Sequence, residues 1–257
     1  RSVWQSCCED FAAADVVDLS AWNAELLASV TTPEGQTYAL PLTTGTVGMV
    51  CNMDLLAACG IDHAPTTTEE LLADCEIITA KGYQPFRCEA LNMTYLIEGM
   101  TAWELATEGR AAEFTQALLT TTDGSSATGY LTSSIELMES ICEKGWLDTT
   151  SLVFNPEADG GAGAEKEIVS YKEDCYAFLN GDVAFFPTYP DLLSSLQKRE
   201  KRLQKYLDEP FTYTFAPIPT KYGACPERTA AYSLFACKDS KNLAWMNKFL
   251  QFVFYRE

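Results

Sequence analysis

The chain has 257 residues, with 36 Asp and Glu against 18 Lys and Arg, ten Cys and a single His. Its net charge of −18 argues against a nucleic-acid backbone or an anionic lipid surface as partner, since both need clustered Lys and Arg, and one imidazole excludes a site built on two or more histidines. With 47% apolar and 12% aromatic residues the composition is that of one or two globular domains, and no apolar run approaches the roughly 20 residues of a membrane helix.

In chain order, Asp18-Leu19-Ser20 predicts a helix to about Ser29 with Ser20 as its N-cap. Thr32–Gln36 is turn chemistry, and Thr37–Leu42 leaves it extended. Thr46–Cys51 reads as a buried strand, followed by a short helix Met53–Cys59 between an Asn52 cap and Gly60. Thr66 with Glu69 and Thr67 with Glu70 are two overlapping capping boxes for a helix ending at Ala80. Pro85–Cys88 is a short strand, and residues 95–120 form two helices broken near Gly109. Ser133–Lys144 is a helix with Ile135, Met138, Ile141 and Cys142 on one face. Asn155–Ala164 is a Gly-rich loop and Glu167–Leu179 a helix. Val183–Phe186 is a very apolar strand, Pro190–Leu207 a helix with a basic patch, and Thr212–Ala216 and Ala231–Ala236 are strands. A last helix spans Ser240–Tyr255. Strands alternating with helices predict an α/β fold, and the unbroken apolar strands predict largely parallel sheets covered on both faces.

The ten cysteines include no C-x-x-C pair, which removes zinc-ribbon and thioredoxin readings. Cys51, Cys59, Cys75 and Cys237 stand in apolar or helical patterns that fit small buried thiols; disulfides formed in an oxidising compartment are the alternative. No G-x-S-x-G, G-x-G-x-x-G or P-loop is present. Gly160-Gly161-Ala162-Gly163 runs into Glu-Lys-Glu, which repels phosphate, and His63 sits in a connector between two helices. The sequence therefore implies no metal and no cofactor. Binding is the better-supported chemistry. Aromatic and polar residues adjoin at strand ends, in Trp4-Gln5, Phe86-Arg87 and Thr188-Tyr189-Pro190-Asp191, and open α/β sheets bind ligands beyond the ends of their strands. Rings stacked on the C–H face of a sugar, with Asp, Glu, Asn, Arg and Thr on its hydroxyls, would make such a site.

At this point the chain resembles a family. Gly35-Gln36-Thr37-Tyr38-Ala39-Leu40-Pro41, then Gly48-Met49-Val50-Cys51-Asn52-Met53-Asp54-Leu55-Leu56, Ala58-Cys59-Gly60-Ile61-Asp62 and Pro65-Thr66-Thr67-Thr68-Glu69-Glu70-Leu71 are similar to the opening motifs of the solute-binding proteins of bacterial ABC sugar importers. Phe178–Phe185, Phe215–Pro219 and Ser233–Asn242 resemble later motifs of the same family, in the same order. Cys51 stands where the family commonly has an aromatic, and Thr68 where it has Trp.

The resemblance implies a periplasmic-binding-protein-like fold of type II, with two lobes joined by crossover hinge strands. Residues 1–43 and 217–257 would belong to one lobe and residues 44–216 to the other. The family's opening strand–helix–strand and its closing helical region have no counterpart here. The expectation is a processed or truncated chain, incomplete at both ends, with its targeting information elsewhere. Carried over by position, the ligand-binding candidates are Trp4, Gln5, Thr43, Thr44, Gly45, Arg87, Glu89, Asn92, Thr188, Tyr189, Asp191 and Tyr232, with Tyr232 in a loop before a returning strand. The implied function is that of a monomeric, non-catalytic receptor outside the cytoplasm, as a surface lipoprotein or in the periplasm. It would capture a mono- or oligosaccharide for the membrane permease of an ABC importer. A secreted carbohydrate-active enzyme using an Asp/Glu pair and a sensor module are the alternatives.

Overall fold

The computed structural model describes residues 6–14, 16–28, 30–32, 34–88, 90–120, 125–148, 175, 178–203, 212–225 and 229–254. In chain order its elements are α1 (Phe11–Ala14), α2 (Ala24–Ala28), β1 (Leu40–Gly45), β2 (Gly48–Asn52), α3 (Met53–Cys59), α4 (Thr68–Ala80), β3 (Gln84–Phe86), α5 (Ala90–Thr107), α6 (Ala111–Thr120) and α7 (Thr132–Glu143). Then come β4 (Val183–Thr188), α8 (Pro190–Leu203), β5 (Tyr213–Pro217), β6 (Pro219–Thr220), β7 (Gly223–Ala224), β8 (Thr229–Leu234) and α9 (Leu243–Phe254). The expected loop Asn155–Ala164, most of the helix expected over Glu167–Leu179 and the last turn expected of Pro190–Leu207 lie outside the described residues. The chain divides into two compact units, Arg1–Thr46 with Arg228–Glu257, and Val47–Glu227.

The first unit is built on β1 and β8, which pair antiparallel with Leu40 opposite Leu234 and Gly45 opposite Thr229. The register shifts on both sides of Thr43, as a bulge does when one strand carries an extra residue. Phe11, Val17, Leu40, Ala236 and Leu250 form its buried core. The helix expected from Asp18 to Ser29 is broken in two. Asp18, not Ser20, is the cap: its carboxylate accepts the Ser20 N–H at 3.0 Å and the Ser20 hydroxyl at 2.6 Å, so that hydroxyl is already committed as a donor. Trp22 then leaves helical geometry, its indole N–H donating to the Pro41 carbonyl at 3.0 Å and its ring 4.7 Å from that of Phe254. Tertiary anchoring of one indole overrides local propensity here. Asn23 caps α2, accepting the Leu26 N–H at 3.1 Å.

The second unit carries a four-stranded sheet in the order β3-β4-β2-β5. Every residue of β2 and β4 is buried, as their apolar runs predict. The direction differs from expectation. Only β3 and β4 are parallel; β2 is antiparallel to both β4 and β5. An apolar run reports that both faces are covered and says nothing of which way its neighbours run.

Local chemistry fixes the helices around this sheet. Asn52 accepts the Leu55 N–H at 3.0 Å to start α3, and Gly60 closes it at φ 87°. Thr67 and Glu70 make a reciprocal capping box at α4. Thr66 does not pair with Glu69 as expected; its N–H and hydroxyl both donate to Glu70 at 2.7 Å. The buried face of α7 is also turned from expectation. Ser134, Leu137 and Ile141 point inward, Ser134 sharing a 2.8 Å hydrogen bond with Thr101, while Ile135 and Cys142 are exposed. Two glycines mark close approaches. A Cβ on Gly48 would stand 2.3 Å from the Phe215 ring, and one on Gly99 of α5 would stand 2.8 Å from Ile218, so the backbone there has no room for a side chain.

Candidate functional site

In the second unit the strand ends converge on one edge of the sheet. β3 and β4 run parallel, with Gln84 beside Val183 and Phe86 beside Phe185, and Leu147 bridges Phe86 in the same direction. Arg87, Asp148 and Tyr189 therefore leave the sheet at a common edge. β2 starts and β5 finishes there, since Gly48 lies opposite both Thr188 and Pro217. This is the carboxyl-end position at which α/β sheets hold ligands.

Four sequence-derived residues lie here. Thr188 ends β4 and is 1% exposed, and its hydroxyl has no hydrogen-bond partner among the described residues. An orphaned buried hydroxyl costs about 1–3 kcal/mol, so it is a group whose energy improves when a partner arrives. Tyr189 follows, half-buried, and meets Tyr95 of α5 edge to face at 5.2 Å. Asn92 is buried one turn before Tyr95, and its amide donates to the Pro187 carbonyl at 3.0 Å. That bond ties α5 to β4, which makes Asn92 a residue that positions the edge. Arg87 is exposed and pairs with Asp148 at 3.3 Å. Asp191 falls in the first turn of α8; its side chain is not among those described. Trp4, Gln5 and Glu89 lie outside the described residues.

Tyr95 is the residue the sequence reading missed. Its only signal is its place three residues after Asn92, on the same helix face. Burial, with the neighbouring Tyr189 and Glu98 adding to it, pushes its hydroxyl up to about 12, so it stays a neutral donor at neutral pH. On the same helix the indole N–H of Trp103 is buried without a partner among the described residues.

In the first unit, Thr43, Thr44 and Gly45 lie on β1, with Thr43 and Thr44 exposed. Tyr232 is opposite Thr43 in the ladder and 57% exposed. It belongs to β8 rather than to a loop, so the register alone brings Thr43 and Tyr232 together.

Elsewhere in the second unit, Lys221 on the β6–β7 turn sits between Glu104 (3.3 Å) and Glu108 (2.7 Å) of α5 and the turn that follows it. Arg110 pairs with Glu108 at 3.1 Å and Tyr222 donates to it at 3.1 Å. Hydrogen bonds from Lys221, then Arg110, then Tyr222 pull the Glu108 carboxyl down to about 2. Glu113 also pairs with Arg110, at 3.8 Å, so two cations serve three carboxylates, and the cluster ties the hairpin to the helix. His63 is exposed, its Nδ1 3.0 Å from the Ala64 carbonyl. Among the described residues no group of three or more His, Cys, Asp or Glu could hold a metal ion, and no helix is long and apolar enough to cross a membrane. An open groove of about 480 Å³ lies in the first unit against Phe235, Cys237, Leu243, Trp245, Met246 and Phe249.

Residues 9–254 match the family described as bacterial extracellular solute-binding protein. None of the curated proteins compared is significantly similar in sequence. Solved structures share the fold. A family 1 extracellular solute-binding protein from Bifidobacterium longum subsp. infantis superposes with a TM-score of 0.67 at 17% identity, over 97% of this chain and 58% of its own. A sugar transporter from Bacillus licheniformis in complex with stachyose gives 0.59 at 16% identity, over 98% and 60%. The GacH receptor of Streptomyces glaucescens, solved unliganded and with acarbose, gives 0.60 at 19% identity, over 96% and 56%. The chain thus spans less than two thirds of each of these proteins.

Proposed function

From the premise that the chain belongs to the family of bacterial extracellular solute-binding proteins, we propose that it captures a carbohydrate outside the cytoplasm and delivers it to the permease of an ABC importer. The observation that carries the ligand class is the edge of the second unit's sheet. There an orphaned buried hydroxyl, Thr188, adjoins an aromatic pair, Tyr189 and Tyr95. A sugar offers the matching surface, with hydroxyls for Thr188 and a C–H face for a ring. The net charge of −18 favours a neutral ligand over an anion. The fold-sharing proteins from Bacillus licheniformis and Streptomyces glaucescens were solved with stachyose and acarbose, which supports the same reading. The family is one of binding proteins and not of enzymes, and no observation favours a carboxylate pair acting on a glycoside.

In this proposal the site takes Thr188, Tyr189, Asp191, Arg87 and Glu89 from the second unit, with Asn92 holding the edge in place. Trp4, Gln5, Thr43, Thr44, Gly45 and Tyr232 are the candidates that the first unit carries by itself. The receptor acts as a monomer in this proposal. Isothermal titration of the full-length protein against mono- and oligosaccharides tests it. A sugar should bind, and Tyr189→Ala should weaken it about 10-fold, the loss of roughly 1.4 kcal/mol of ring contact. If a peptide, a polyamine or a metal ion binds and no sugar does, the ligand class is wrong.

A further inference from the structure

We infer that Cys8 and Cys237 form a cross-strand disulfide when the protein meets a disulfide oxidant. The two are joined in the first unit by an isolated antiparallel bridge, and the pattern of its hydrogen bonds decides the geometry. The Glu9 N–H donates to the Ala236 carbonyl at 2.8 Å, and the Lys238 N–H donates to the Cys7 carbonyl at 3.0 Å. The bonds therefore flank the Cys8–Cys237 pair and do not join it. In such a pair the Cα atoms stand about 4.5 Å apart with side chains on the same face, inside the roughly 4.4–6.8 Å over which a disulfide closes. Cys7 is the competing partner, with its sulfur 3.7 Å from that of Cys8. Neighbouring residues hold their Cα atoms at about 3.8 Å, short of that range, so a Cys7–Cys8 link is strained.

Access sets the order of events. Cys237 is exposed on the wall of the groove, whereas Cys8 is 4% exposed. Burial first, then a hydrogen bond to Cys7 and electrostatic repulsion from Cys7 and Cys237, push the Cys8 thiol up to about 11 against the pull of Lys238, so Cys8 is the protonated partner. The Cys237 thiolate attacks one sulfur of the oxidant, RSSR, and the other sulfur leaves as RS⁻. Cys8 then gives up its proton and attacks the Cys237 sulfur of the mixed disulfide, expelling the second RS⁻. Two protein thiols are oxidised and one RSSR becomes two RSH. An extracellular family meets such oxidants, because the compartments outside the cytoplasm sustain disulfides. The bond would clamp the segment ahead of α1 to the segment between β8 and α9, across more than two hundred residues of sequence.

The test is peptide mapping of the full-length protein after incubation with oxidised glutathione, alkylation without reduction, and proteolysis. The expected product is one linked pair of peptides carrying Cys8 and Cys237, abolished by dithiothreitol and retained in Cys7→Ser. Recovery of both residues alkylated after oxidation overturns the inference. So does a link that joins Cys7 to either of them, or a Cys8–Cys237 yield no higher in the native protein than in the denatured one.

Discussion

Gly48→Ala adds one methyl group at the point where β2 meets β5. The new carbon would lie 2.3 Å from Cζ and 2.7 Å from Cε1 of Phe215, and 2.7 Å from the Ala216 carbonyl oxygen. Carbon atoms rest about 3.5–4.0 Å apart, so the ring must retreat by more than about 1 Å. The carbonyl cannot follow cheaply, because Ala216 is held opposite Met49 in the ladder. Overpacking of this kind costs about 1–3 kcal/mol, and a clash that includes backbone belongs at the upper end, about 3 kcal/mol. For a unit of this size that lowers the melting midpoint by roughly 6–12 °C. Differential scanning calorimetry of wild type, Gly48→Ala, Phe215→Leu and the double variant measures it. Leucine removes the clashing ring atoms, so Phe215→Leu should cost at least about 1 kcal/mol less in the Gly48→Ala background than in the wild type. Equal costs in the two backgrounds, or a Gly48→Ala midpoint within 1 °C of wild type, would refute the close packing of β2 on β5.

Three further outcomes follow from local contacts. Thr67→Ala removes the capping box of α4 and should cost about 1 kcal/mol in urea titration. Lys221→Met leaves Glu104, 5% exposed, without its cation. The cost should be about 2 kcal/mol, less than for a fully enclosed pair because Lys221 is half open to water, and Glu104→Gln should restore most of it. Burial, with the charge of Glu70 adding and His63 opposing, pushes the Asp74 carboxyl from 3.8 up to about 6. Between those values the folded state holds more protons than the unfolded, so stability should fall as pH rises from about 4 to about 6. Melts of Asp74→Asn should lose that slope and sit above wild type at pH 7; a slope that persists in the variant would rule out Asp74 as its source.

Most of the elements could be read from residues because their ends are written in short-range chemistry. Asn52 with Gly60, and Thr67 with Glu70, need only neighbours three to eight residues away to define a helix. Ser20 misled because the competing acceptor, Asp18, uses up its hydroxyl, and because the Trp22 indole finds its partner nineteen residues on. The face of α7 was misread because Ser134 is buried by a bond to Thr101, a polar residue turned inward where hydrophobicity alone points to Ile135. Strand direction was out of reach for the same reason that makes β2 and β4 easy to find: a strand buried on both faces loses the alternation that records its surroundings. At the candidate site, Thr188 and Tyr189 were legible as polar and aromatic residues ending an apolar run. Tyr95 was not, since α5 is apolar on most of its surface and nothing local marks the ring that meets Tyr189.

The pairing of β1 with β8 also orders events in time. Leu40 is matched to Leu234, so the first unit's ladder cannot close until the chain has been synthesised through Leu234. The second unit, by contrast, is continuous from Val47 to Glu227 and contains every partner its sheet needs. A chain made from its amino end can therefore complete the second unit while β1 still lacks its partner strand. The first unit then folds last, at a rate set by closure of a very long loop. Until that moment the edge of β1 is open to pairing with other chains, and the interval before β8 arrives is when this protein is most vulnerable to aggregation.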